Sequence, residues 1–321
     1  MAKKVVITLP LPDEALAVLR ERYELLAWTD QGAIPTTVLQ DWVQEADAIL
    51  CSVGNPITAQ TIACATHGLS VISTISVGVD HIDVAAASQA GIPVGHTPDV
   101  LTDSTADMAL ALMLSCTRRI PEVDRFVRSG QWRGAWSPNM LLGRDLSRST
   151  VGIIGLGPIG LAVAKRVLGF GARVVAWNRT PKEVTGIEMV DLDTLFERSD
   201  LVSVHAAMTA GTHHLVSAKR LAKLKDGAIV INTARGGLID ESALIRELVS
   251  GRLSAGLDVF DQEPLPVDSP LLSLENVVLV PHLGSATAAT RQAMLERALA
   301  NLASGLSGSA LPYCANPEVY S

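Results

Sequence analysis

No stretch of this sequence reaches the roughly 20 consecutive apolar residues that a membrane-spanning helix needs. Basic blocks are missing too. With a net charge of −7, nucleic acid and an anionic membrane surface are poor partners. Cysteine is sparse: Cys51, Cys64, Cys116 and Cys314 are scattered, with no C-x-x-C pair. They read as buried thiols in a reducing compartment, not as disulfides or a metal site. His213-His214 lacks a third ligand at useful spacing, so no metal is expected. Met1-Ala2-Lys3-Lys4 runs straight into a strand with no apolar signal region. The expectation is a cytoplasmic enzyme without nucleic-acid, membrane or metal partners.

What is present is apolar and ordered. Hydrophobic residues make up 48% of 321, enough for sizeable cores and long enough for two domains. The organising stretch is V-G-I-I-G-L-G-P-I-G, Val151–Gly160. An apolar run leads into Gly155, Gly157 and Gly160, spaced G-x-G-x-x-G. Leu161, Val163, Ala164, Val167 and Leu168 then follow at helical spacing. Strand, glycine turn and helix together point to a dinucleotide site, with a pyrophosphate at the helix start.

Before it, short apolar runs alternate with helical stretches. Strands are expected at Val5–Leu9, Glu24–Trp28, Ala48–Ser52, Val71–Ser76 and Ile92–Val94. Helices are expected at Asp13–Arg20, Thr37–Gln44 with Thr36 as cap, a stretch through Ala65 capped by Thr58, and Val84–Ala90 capped by Asp83. Asp103–Thr117 is a long apolar helix, whose apolar surface would be costly to leave exposed and points to a homodimer, and Pro121–Ser129 is a more polar one. Gln131–Arg148 is irregular and carries Trp132 and Trp136, expected to pack on the body or on a second subunit. After the glycine turn come strands Arg173–Trp177, Leu201–His205, Ala228–Asn232, Ser254–Val259 and Val277–Val280. Ser217 and Asp240 are expected to cap helices, and Thr287–Ser304 is a last long helix. The cuts fall near Asp99 and Ser285. Residues 1–98 and 286–321 would form a substrate-binding domain and 99–285 a dinucleotide-binding one, with the two crossings as a hinge.

Polar signatures stand at the ends of the expected strands of the middle domain, where ligands bind in open α/β sheets. They are Asn178-Arg179-Thr180, Thr233–Gly237, Gly256–Phe260 with Gln262-Glu263-Pro264, and Pro281–Ser285. Arg235, Glu263 and His282 each have a bland reading as loop residues. Together they supply what reduction of a 2-oxo acid requires: a cation for the carboxylate, a proton donor, and an acid to charge that donor. The second strand of the nucleotide unit ends in Asn178 without a carboxylate. Arg179 and Thr180 can meet a 2′-phosphate there, so NADP is expected, with NAD possible.

Ser76-Val77-Gly78-Val79-Asp80-His81, the G-L-G-P-I-G turn, Thr233–Gly237, Gly256–Phe260 with Glu263-Pro264, and Pro281–Ser285 occur in this order. In them the chain resembles the D-isomer-specific 2-hydroxyacid dehydrogenase family. Val71–Ala106 and Trp136–Met140 are most similar to its glyoxylate/hydroxypyruvate reductase branch. The resemblance implies an α/β fold of two doubly wound parallel-sheet domains, a flavodoxin-like substrate domain plus a Rossmann dinucleotide domain, with a cleft between. It implies His282 as acid/base, Glu263 as its partner, and Arg235 on the substrate carboxylate. Val53, Gly54, Val77, Gly78 and Met140 would complete substrate binding. The cofactor would meet Thr105, Gly155, Leu156, Gly157, Pro158, Ile159, Gly160 and Asn178–Thr180. Beyond these lie His205, Thr233, Ala234, Asp258 and Gly284, with Asp258 on the nicotinamide carboxamide.

The implied partners are a small 2-oxo or 2-hydroxy acid and a second copy in a homodimer. Ala206-Ala207-Met208 lacks the Pro common there in the family, and Met140 stands where some of the branch carry Trp. D-lactate, phosphoglycerate and formate dehydrogenases of the family remain alternatives, as does a nucleotide sensor without turnover.

Overall fold

The short apolar runs at the head of the chain become parallel strands: β1 (Lys3–Ile7), β2 (Tyr23–Ala27), β3 (Ala48–Cys51), β4 (Val71–Thr74) and β5 (Val94–Gly95). The computed structural model describes residues 2–321. In it the strands lie in the order β2-β1-β3-β4-β5, the flavodoxin-like doubly wound order. Every residue of β3 and β4 is buried. A parallel sheet is covered on both faces, so its strands are continuous apolar runs, not alternating ones. One face takes Leu39, Val43 and Ile62 from the connecting helices. The other takes Ala298 and Leu302 of helix Ala288–Leu306, which returns to pack on Val5, Ile7, Leu50 and Val71. Ser73 Oγ donates to Ala298 O at 2.8 Å beneath that helix.

The second sheet runs β6 (Thr150–Ile154), β7 (Arg173–Trp177), β8 (Ile187–Met189), β9 (Leu201–Val204), β10 (Ile229–Asn232), β11 (Ser254–Leu257) and β12 (Val277–Leu279). Its order is β12-β11-β10-β9-β6-β7-β8, all parallel. Read from β8 to β11 this is the dinucleotide-binding order, with β12 added at the edge. Helices Thr102–Thr117 and Pro158–Gly169 cover one face through Ala109, Leu112, Met113, Val163 and Val167. Leu195, Phe196, Leu244 and Leu248 cover the other. The chain thus forms two compact α/β units, one running to Leu101 and resuming over Thr287–Ser321, the other Thr102–Ala286.

Several expectations change. Thr36 is not a cap: it is the first helical residue, and Pro35 stands at the N-cap with its carbonyl accepting from Leu39 N. Ser217 makes no capping bond. Asp83, Asp240 and Thr287 do cap, accepting from Ala86, Ala243 and Thr290 amides. Strand β8 and helix Leu192–Arg198 were not expected; Asp191 caps the latter through Thr194 N. The apolar face of Thr102–Thr117 is buried in its own unit and needs no second subunit. Trp132 and Trp136, in contrast, are 56% and 78% exposed on the single chain, not packed on its body.

Candidate active site

β6 is buried at every residue and delivers the glycine turn to the top of its sheet. Gly155 has φ 94°, and a Cβ there would lie 2.7 Å from His205 O. A Cβ on Gly160 would lie 1.9 Å from Gly155 O, so turn and helix touch through glycine alone. Gly157 differs: a Cβ there would meet nothing within 4 Å. Gly157 is the N-cap of helix Pro158–Gly169, Pro158 sits in the first turn, and no side chain caps the end. The first amides and the positive dipole end therefore have no side chain competing for an anion. This open cradle fits a dinucleotide pyrophosphate.

At the end of β7, Asn178 is already engaged. Its Oδ1 accepts from Leu156 N at 2.9 Å and its Nδ2 donates to Thr180 O at 2.6 Å. Asn178 braces the glycine turn instead of standing free. Arg179 and Thr180 are exposed. Lys182, not singled out from the sequence, reaches back so that Nζ donates to Leu156 O at 2.8 Å. Two cations thus border the turn. Below it, His205 Nε2 pairs with Ser203 Oγ at 2.8 Å while Nδ1 is buried without a partner. Burial pushes this imidazole down to about 4, so it is neutral at pH 7.

Three neighbouring strand ends of the same unit bring the polar signatures together. After β10, Asn232 Oδ1 accepts from Ala234 N (3.0 Å) and its Nδ2 donates to Arg235 O (2.8 Å), fixing the Arg235 backbone. A Cβ on Gly236 would fall 2.0 Å from Phe260 C and O, so this turn lies flat on the one after β11. There Glu263 Oε1 accepts from Phe260 N at 3.0 Å, and Oε2 lies 2.7 Å from His282 Nδ1. Burial would raise the Glu263 carboxyl. The His282 contact, the Phe260 amide and the Arg235 charge outweigh it and hold it below the usual carboxylate value.

After β12, His282 adopts φ 54°. Its amide donates to Asp258 O at 2.8 Å, while Asp258 Oδ1 and Oδ2 accept from Leu283 N (2.5 Å) and Gly284 N (2.9 Å). The buried Asp258 carboxylate therefore clamps the histidine loop. Burial raises its carboxyl more than the two amides lower it. Gly284 faces Thr105, whose methyl would lie 3.3 Å from a Cβ there, so Thr105, Asp258 and Gly284 meet as one group. Thr233 Oγ1, one residue past β10, is buried without a hydrogen-bond partner.

In the other unit, Val53 and Gly54 follow β3, and Val77 and Gly78 follow β4, its neighbour in the sheet. Met140 lies in the irregular segment, where its amide donates to Ser137 O at 3.1 Å. Among the described residues no group of three or more His, Cys, Asp or Glu is placed to hold a metal, and no helix is long and apolar enough to cross a membrane.

The family model for the NAD-binding domain of D-isomer specific 2-hydroxyacid dehydrogenases matches residues 110–284. A glyoxylate reductase of Korarchaeum cryptofilum is 41% identical over 324 residues, covering 99% of this chain and 97% of its own length. One of Thermococcus litoralis is 42% identical, with 99% and 98% covered. Among solved structures, a Thermus thermophilus protein superposes with TM-score 0.89 at 45% identity, covering 97% of this chain and 99% of that one. An NADPH-dependent glyoxylate/hydroxypyruvate reductase from Sinorhizobium meliloti, in complex with NADP and malonate, gives TM-score 0.88 at 32% identity, with 99% and 98% covered.

Proposed function

The chain belongs to the D-isomer-specific 2-hydroxyacid dehydrogenase family and is an NAD(P)-dependent oxidoreductase; on that premise we propose that it reduces glyoxylate or hydroxypyruvate with NADPH. The observation that carries this reading is the Glu263–His282 pair at 2.7 Å, on strand ends adjoining that of Arg235.

Because Nδ1 of His282 is taken by Glu263, Nε2 is the nitrogen left to hand a proton to the substrate carbonyl oxygen. Glu263 steadies the ring and the positive charge that the ring carries before transfer. Arg235 offers a planar fork to the substrate carboxylate and draws charge towards the carbonyl oxygen. The Val77 and Gly78 amides are the further carboxylate donors. A nicotinamide cofactor, when bound, would supply the hydride for the carbonyl carbon. One carbonyl thus takes a hydride at carbon and a proton at oxygen, giving achiral glycolate from glyoxylate or D-glycerate from hydroxypyruvate.

Preference for NADP is supported by the absence of a carboxylate at the end of β7 and by the Arg179 and Lys182 cations beside the turn. Arg–phosphate hydrogen bonds of about 1.5–3 kcal/mol imply roughly ten- to a hundredfold weaker NADPH binding in Arg179→Ala, with NADH nearly unaffected. Ile120, Val127, Trp132, Trp136 and Leu142 are all about half exposed or more, which supports a homodimer through this stretch of the chain. The cytoplasm suits such a reductase.

A panel of 2-oxo acids run with each cofactor tests the reading. The expected result is the highest kcat/KM for glyoxylate or hydroxypyruvate with NADPH. Preference for pyruvate, or for NADH in wild type and equal losses in Arg179→Ala, would overturn the substrate and cofactor assignments respectively.

A further inference from the structure

The turn after β4 is pinned by its carbonyls. Ser76 O accepts from Thr97 N at 2.8 Å, Val77 O faces His96 Nδ1 at 3.0 Å, and Gly78 O accepts from Ser76 Oγ at 2.7 Å. In a trans peptide the C=O and the next N–H point in opposite directions. Each pinned carbonyl therefore fixes the amide that follows it, those of Val77, Gly78 and Val79. None of these three amides has a hydrogen-bond partner among the described residues. Successive unpaired amides form a concave anion site.

His96 is itself held rigidly. Its amide donates to Tyr313 O at 3.0 Å, and its carbonyl accepts from Nδ2 of the fully buried Asn301 at 3.0 Å. A carbonyl can only accept, so the His96 proton must be on Nδ1. The side chain thus reaches from the end of β5 to the back of the Val77–Gly78 peptide.

We propose that His96 is a positioning residue for the reduction: by holding the Val77 carbonyl it aims the Gly78 amide at the carboxylate of the 2-oxo acid. This rests on the reading that the Val77–Gly78 turn binds that carboxylate. His96 touches no reacting atom. Its loss loosens substrate binding without removing the proton donor or the cofactor site.

The test compares His96→Leu with His96→Asn, which have nearly the same shape. Only Asn keeps an N–H where the ring Nδ1 stood. One hydrogen bond's net worth predicts a glyoxylate KM raised about three- to tenfold in His96→Leu and restored to within about twofold in His96→Asn. Turnover at saturation and NADPH affinity should stay within about twofold of wild type in both. An unchanged KM in His96→Leu, or equal rises in both variants, would overturn the proposal. If His96→Leu does not fold, His96→Phe takes its place in the same comparison. Arg235→Lys separates the two levels of failure. If it raises KM while His96→Leu does not, only the role of His96 falls. If neither moves KM, the carboxylate-binding reading falls with it.

Discussion

Glu263 uses its two oxygens for two different donors, Phe260 N and His282 Nδ1. A glutamine has only one acceptor oxygen. In Glu263→Gln an NH₂ must therefore face either the Phe260 amide or the histidine Nδ1–H. Loss of a hydrogen bond to a charged group implies a fall in kcat/KM of roughly ten- to a hundredfold. Because Glu263 acts through His282, the same change made in a His282→Ala background should cost little further. The double-mutant cycle in kcat/KM measures this. Full additivity of the two losses would show that the pair is not a unit. The placement of Arg235, Glu263 and His282 at neighbouring strand ends was legible from residue type and the order of apolar runs. The grip of Asp258 on Leu283 and Gly284 was not, because it joins backbone groups 25 and 26 positions away and leaves no local pattern.

At the scale of elements, β6, the glycine turn and β7 were legible because each is coded within a few residues: an apolar run, three glycines, a second apolar run. Strand β8 and helix Leu192–Arg198 lie outside the expected elements. Yet Asp191 followed by Leu192, Leu195 and Phe196 is a cap with an apolar face at helical spacing. β8 is only three residues long, too short for a pattern. The end of β9 carries a testable consequence. His205 is held near 4 in the fold against 6.5 unfolded, so the unfolded chain takes this proton first as pH falls. Its contribution to stability is present above about pH 6.5 and is lost progressively as pH falls towards about 4. Denaturant unfolding across that window should therefore show a shallower pH dependence in His205→Asn than in wild type. Identical slopes would mean that His205 titrates alike in both states.

For the whole molecule, the order of elements told that the chain leaves its first sheet, builds a second, and returns in helix Ala288–Leu306. Composition could not tell which apolar surface would stay uncovered. The helix suspected from its apolar residues is sealed into its own unit, whereas Trp132 and Trp136 stand out. A paired assembly should have twice the chain mass by light scattering at micromolar concentration. Trp132→Asp with Trp136→Asp should shift it towards the single-chain mass while leaving the melting of the separate chain intact. A wild-type protein of single-chain mass would remove the dimer.

The claim on which the rest depends is that His282 delivers the proton in a reduction of a 2-oxo acid. Initial rates of NADPH consumption with glyoxylate, wild type beside His282→Ala, test it most directly. The expected result is clear wild-type turnover, a loss of roughly 10²–10⁴-fold in the variant, and NADPH affinity unchanged. A wild-type protein that consumes no NADPH with any small 2-oxo acid, or a variant within a few-fold of it, would contradict the account.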